Sequence, residues 1–219
     1  YDKNTGIIDR IDGFERISAR LNTTYEARDW LTVGTNISAS RSTTDLPRDR
    51  NNVQNPFRFL YDANPYETLF LRDGNNEVVT NADGEPQFNP TTSGFPVAQA
   101  LITEPSSETN FLLVGNIFAD IKFSDKFSNR FAVGTTTNRG RTVARSIAGG
   151  TLDPIVGDSD FPGTQRESMN VDFQYNVSNV FGYKDTFGEK HNISADVLLE
   201  YNERIFTRTN VSGRGFPTP

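Results

Sequence analysis

Phe14-Glu15-Arg16-Ile17-Ser18-Ala19-Arg20-Leu21-Asn22-Thr23-Thr24-Tyr25-Glu26 is followed, after Ala27-Arg28-Asp29, by Trp30-Leu31-Thr32-Val33-Gly34-Thr35-Asn36-Ile37-Ser38-Ala39-Ser40-Arg41. Side chains alternate with a period of two through both halves, which is the pattern of a strand with two unlike faces. Ile17, Ala19, Leu21, Thr23 and Tyr25 share one face of the first half; Arg16, Ser18, Arg20, Asn22 and Thr24 take the other. In the second half Leu31, Val33, Thr35, Ile37 and Ala39 oppose Thr32, Gly34, Asn36, Ser38 and Ser40. The short polar link between them makes this a hairpin.

The pattern returns twice. Phe111, Leu113, Gly115, Ile117, Ala119, Ile121 and Phe123 alternate with a set that includes Asn116, Asp120 and Lys122, and Ser124–Ser128 leads into Phe131, Val133, Thr135 and Thr137. A third pair runs through Met169, Val171, Phe173, Tyr175 and Val177, then Ile193, Ala195, Val197, Leu199 and Tyr201, joined around residues 181–190. About six strands of roughly 12–16 residues follow, against the ~5–6 usual in globular sheets. Long connections separate the hairpins: residues 43 to about 109, rich in Asn, Asp, Pro and Gly; residues 146 to about 164; and a third beginning near Thr209. Unstructured links beyond ~12–15 residues are uncommon in soluble domains. Short and long links in alternation are the mark of a membrane barrel with tight periplasmic turns and long extracellular loops. Tyr25, Trp30, Phe123, Phe127 and Phe131, near strand ends, suit a membrane interface.

Composition narrows the function classes. Only 35% of the 219 residues are apolar, yet there are 17 Phe and 7 Tyr, a balance unlike a helical bundle or a disordered chain. There is no cysteine, hence no disulfide and no thiolate metal site. The net charge of −6 and the lack of a basic patch in sequence argue against nucleic acid as a partner. No apolar run approaches the ~18–20 residues of a membrane helix. Tyr1–Gly6 carries no leader-like apolar core, so the reading is of a fragment.

Several phrases, taken in order, resemble the barrel region of SusC-like TonB-dependent outer-membrane transporters. Tyr1-Asp2-Lys3-Asn4-Thr5-Gly6-Ile7-Ile8 resembles the end of an early barrel strand and its turn. Phe14–Asn22 is similar to the family's F-x-R-x-x-x-R-x-N strand, and Trp30–Ser38 to the strand that follows it. Asn55-Pro56-Phe57 and Asn64-Pro65-Tyr66 resemble the start of the long outer loop, Lys190-His191-Asn192-Ile193 a later strand start, and Gly215-Phe216-Pro217 a following loop. The resemblance implies an all-β fold, residues 1–219 forming part of a transmembrane barrel whose signal peptide, plug domain and remaining strands lie elsewhere. It further implies import of an oligosaccharide or peptide nutrient across the outer membrane of a Gram-negative bacterium. A SusD-like surface lipoprotein would serve as partner, TonB would act through the plug, and outer-membrane lipid would surround the wall. No cofactor is implied. A partial barrel has open edges and is expected to be unstable alone.

Candidate chemistry is thin. His191, the single histidine, opens a strand beside Lys190 and has no partner set for base or metal work. Asp153, Asp158 and Asp160 offer oxygen ligands at a spacing that matches no EF-hand loop, and a solvated acidic loop is the simpler reading. No GxSxG, P-loop or GxGxxG phrase occurs, and no carboxylate pair is singled out, so the chain is read as no enzyme. The aromatic stretch Phe57, Arg58, Phe59 and Tyr61, with Tyr66 and Phe70 beyond it, is the candidate substrate- or partner-binding part of the long loop. The plainer reading of the same residues is a satellite core that folds the loop onto the wall. The alternative architecture is a soluble or cell-surface β-sandwich, an adhesin or carbohydrate-binding module, in which the apolar face would be buried between sheets.

Overall fold

In the computed structural model the described residues are 1–5, 13–46, 64–89, 106–148, 150, 153, 158–188 and 190–216. They contain seven strands: β1 (Asp2–Asn4), β2 (Phe14–Arg28), β3 (Leu31–Leu46), β4 (Ser106–Lys122), β5 (Phe127–Ser146), β6 (Thr164–Phe187) and β7 (His191–Arg214). All lie in one antiparallel sheet in sequence order, so each strand pairs only with its neighbours along the chain. The alternation gave about six strands; the seventh is the three-residue β1, too short to show a period. The strands also run past the alternating stretches, reaching 24 residues in β6 and β7. Polar residues at their loop-side ends, such as Thr43 and Thr44 in β3 or Thr209 and Asn210 in β7, continue the ladder after the apolar signal has stopped.

Three tight turns close one end. Asp29 and Trp30 join β2 to β3, so Ala27 and Arg28 belong to β2, with a bulge between Glu26 and Arg28. Residues 123–126 join β4 to β5, and the Ser124 hydroxyl accepts from the backbone N–H groups of Lys126 (3.3 Å) and Phe127 (3.2 Å). Residues 188–190 join β6 to β7, where Gly188 takes a left-handed φ of 57° that a side chain would resist. The long connections, 47–105 and 147–163, both leave from the opposite end.

Register aligns the faces. Leu31, Ile121, Asn129, Phe181 and Val197 form one cross-strand row, and Tyr25, Val33, Ala119, Phe131, Asn179 and Leu199 the next. The apolar set of every strand therefore lands on the same side of the sheet. Nothing covers it among the described residues: Ile17, Leu21, Tyr25, Ile117, Val197 and Leu199 are each more than half exposed, and Ala132 is the one buried hydrophobic residue. A sandwich would bury this face under a second sheet, and these strands make one sheet only. The turns also step along the strands. Leu31 begins β3 in the row of Val197, whereas β7 begins six residues earlier at His191. A progressive stagger of this kind tilts the strands when a sheet closes into a barrel.

On the polar side Gly34 lies under Phe118, and a Cβ at Gly34 would land inside that ring. Gly34→Val is expected to lower stability by about 1–3 kcal/mol through overpacking. Adding Phe118→Ala should return most of that loss. Thermal unfolding of the whole protein tests this, and strictly additive losses would show that the two residues do not share the space.

Candidate functional site

The face opposite the apolar one is built from even-numbered residues of β2 to β7 and carries most of the polar chemistry. One of its rows is nearly pure asparagine: Asn22, Asn36, Asn116, Gly134, Asn176 and Asn202 stand side by side across six strands. Gly134 has no side chain because the Asn176 amide leans across its Cα. Adjacent strands are about 4.8 Å apart, so the row is a band of uncharged donors and acceptors at that spacing. The residues are visible in sequence, but the row depends on register, which alternation alone does not reveal.

Charged pairs flank the row. The Arg204 guanidinium grips the Asp172 carboxylate with two hydrogen bonds, Nε to Oδ1 at 2.8 Å and NH2 to Oδ2 at 2.6 Å. Arg130 reaches Asp120 at 3.4 Å and lies over the Phe118 ring, 4.4 Å from its centroid. Arg16 donates to Asp2 at 3.0 and 2.7 Å, tying β1 to β2. Exposed pairs of this sort contribute about 0–1 kcal/mol each; their larger effect is to hold guanidinium planes in fixed orientations. Leu112, Val114, Leu198 and Phe206 interrupt the polarity of this face, so it is mixed rather than uniformly wet.

Of the candidate loop residues, Phe57, Arg58, Phe59 and Tyr61 lie outside the described residues. Tyr66 and Phe70 belong to a small unit at 64–89. Segments around residues 71, 79 and 87 bond in a ring: Leu71 N–H donates to Gln87 O, Val79 N–H to Leu71 O, and Gln87 N–H to Val79 O, each at 2.9 Å. The Asp73 and Asn81 side chains cap its two turns, each accepting backbone N–H groups two and four residues on. Phe70 packs against Phe88 with centroids 5.2 Å apart, a satellite-core role. Tyr66 stays 79% exposed and is free to meet another surface.

The 147–163 connection is clasped to the end of β7. Asp153 Oδ1 accepts from Gly163 N–H at 2.7 Å, and Asp158 Oδ2 accepts from Arg214 at 2.8 Å. Gly215 N–H donates to the carbonyls of Phe161 and Gly163. Two of the three carboxylates weighed as calcium ligands thus serve as loop fasteners. His191 opens β7, paired with Phe187.

Asp158's carboxyl is held below the usual carboxylate range, first by the Asp160 backbone N–H and then by Arg214. A depressed value means that the clasp is fully formed above the unfolded value of about 4 and is lost as pH falls through the lowered one. Amide protection at Asp160, whose N–H donates to Asp158 Oδ1 at 3.0 Å, and at Gly215 beside Arg214 should therefore fall below about pH 4 in the intact protein. Asp158→Asn should loosen both amides already at neutral pH. Protection that is flat across this range, or unaffected by the substitution, would contradict the clasp.

No family model matches the chain, and no curated protein matches it. Solved structures do. A structure of the RagAB peptide transporter superposes with a TM-score of 0.65 at 19% identity, covering 95% of this chain and 22% of that one. The RagAB peptide importer in its closed-closed state gives 0.66 at 23% identity, and in its open-open state 0.64 at 19%, with the same coverage. This chain thus spans about a fifth of the length of those it matches. The likeness bears out, at the level of fold, the resemblance carried by the sequence phrases: the chain has the all-β, antiparallel fold of one stretch of a transporter β-barrel.

Proposed function

We propose that this chain is part of the barrel wall of a TonB-dependent outer-membrane transporter of a Gram-negative bacterium. On this reading the protein imports oligosaccharide or peptide nutrients together with a SusD-like surface lipoprotein, and TonB supplies energy through a plug region. The observation that carries the reading is the single in-register apolar face, uncovered across the six strands β2 to β7, with arginine, asparagine and aspartate on its reverse. In water such a face would aggregate. In lipid it is the required surface, because a barrel wall satisfies its backbone groups within the sheet and shows the hydrocarbon only side chains.

The tight turns then face the periplasm and the 47–105 and 147–163 connections the outside. Tyr66, exposed to solvent, is proposed to meet a substrate or the lipoprotein together with Phe57, Arg58, Phe59, Tyr61 and Phe70 of the same loop. The likeness to structures described as a peptide transporter favours peptide over oligosaccharide as cargo. The polar face supports such cargo in kind: amides and fixed guanidinium–carboxylate pairs can meet a hydrated, hydrogen-bonding solute without demanding one net charge.

Two adjacent substitutions in the full-length protein test the orientation. Leu199→Arg places a charge on the apolar face and is expected to cost about 2–4 kcal/mol and deplete assembled protein in the outer membrane. Leu198→Arg, one residue away on the polar face, should assemble at near wild-type level. Equal effects would sink the lipid-facing assignment. The cargo is tested separately by uptake of fluorescent oligopeptides and oligosaccharides into cells carrying the transporter and its lipoprotein, where saturable peptide uptake is expected. Uptake of neither, from a correctly assembled barrel, would refute the import role.

A further inference from the structure

At the loop end of the apolar face, three arginines surround one phenylalanine. Arg41 of β3, Phe111 of β4 and Arg139 of β5 are direct cross-strand partners in one row. Arg141 stands one row further toward the loops, opposite Thr109. All are on the side that carries Ile37, Leu113 and Ile117, not on the arginine- and asparagine-bearing side. We propose that Arg41 and Arg139 form a binding site for a phosphate-bearing lipid headgroup of the outer leaflet, with Phe111 as its floor and Arg141 one row above it. The proposal rests on the orientation argued under Proposed function.

Height is the first argument. Arg41 lies ten residues above the start of β3 at Leu31. At about 3.3 Å per residue and a tilt of about 40°, ten residues climb about 25 Å, the height of a barrel's apolar band. The arginines therefore sit where hydrocarbon gives way to headgroups. Glu203, on the same face of β7, is already engaged: it accepts from the Tyr175 hydroxyl at 2.5 Å and the Tyr201 hydroxyl at 2.8 Å, an aromatic belt around a satisfied carboxylate.

Partnering is the second. Arg141 is held by Glu167, Nε to Oε1 at 2.5 Å and NH2 to Oε2 at 2.9 Å. Glu15, diagonal to Arg41, is engaged by Lys3 at 3.3 Å. The Arg41 and Arg139 side chains make no hydrogen bond or ion pair within the described residues, and both are exposed. An unpaired guanidinium on a lipid-facing wall is costly unless it reaches an anion, and its forked donors match phosphate oxygens two at a time. The Arg41 and Arg139 backbones are two strand spacings apart, about 10 Å, so their flexible side chains can converge on one headgroup over Phe111. The acyl chains would then lie down the apolar rows below, along Ile37, Leu113 and Ile117.

The test uses the full-length protein in detergent–lipid micelles, titrated with fluorescent bisphosphorylated lipid A, with the same lipid lacking both phosphates, and with inorganic phosphate as competitor. The Arg41→Gln/Arg139→Gln double variant should bind the phosphorylated lipid about tenfold more weakly or worse, as loss of charge-assisted hydrogen bonds implies. The dephosphorylated lipid should bind wild type no better than the phosphorylated lipid binds the double variant. Arg20→Gln, on the polar face, should change nothing. Equal binding by wild type and double variant, or by both lipids, overturns the site. Displacement by inorganic phosphate would show an anion site that does not read the lipid, which also overturns it. A nitroxide on Ile117→Cys separates this failure from that of the orientation: oxygen accessibility in bilayers keeps the face in lipid, and its absence removes the orientation itself.

Discussion

A backbone N–H or C=O taken out of water without a partner costs several kcal/mol, and strands β3 to β6 meet that demand through a neighbour on either side. The pairing is continuous from Ser106–Lys122 against β5 through Thr164–Phe187 against β7. Because side chains alternate strictly, the same ladder fixes which face each residue joins. A slip of one residue in any strand would move Leu199 or Ile117 to the polar side and put asparagine or arginine in its place. Register is thus the constraint behind the apolar band, the asparagine row and the arginine cluster alike. None of the three is a local feature of one strand.

The arrangement divides labour between the two ends and the two faces. At the turn end the connections are as short as two residues, and polar groups such as Ser124 satisfy them locally. At the other end the connections are long enough to fold on their own terms. The 64–89 unit closes by its own backbone ring, and the 147–163 segment is clasped to β7 through Asp158 and Arg214. One face carries most of the aromatic and aliphatic residues, and the reverse face is kept thin where needed: Gly34 makes room for Phe118, which in turn supports Arg130.

Much of this was legible in the sequence, and the reason is physical. Period-two alternation survives in Phe14–Arg41 because the two faces meet different surroundings, so the faces of β2 to β7 could be assigned residue by residue. Strand ends were not legible, since Thr43, Thr44 and Thr209 continue the pairing without an apolar signal. The rows were not legible either. Asn36 and Asn116 are far apart in sequence, and only pairing across the 47–105 connection makes them neighbours. Likewise Arg41 and Arg139 are far apart in sequence, and only register sets them on either side of Phe111. Phe70 was read as a loop aromatic with two possible roles, and its contact with Phe88 supplies the structural one.

In the proposed orientation odd-numbered residues of β7 face lipid and even-numbered ones face the lumen. Nitroxide labels placed singly at positions 196 to 201 of the full-length protein in bilayers test it most directly. Accessibility to dissolved oxygen should peak at 197, 199 and 201, and accessibility to a water-soluble nickel chelate at 196, 198 and 200. The opposite phase, or the absence of a period of two, would contradict the account.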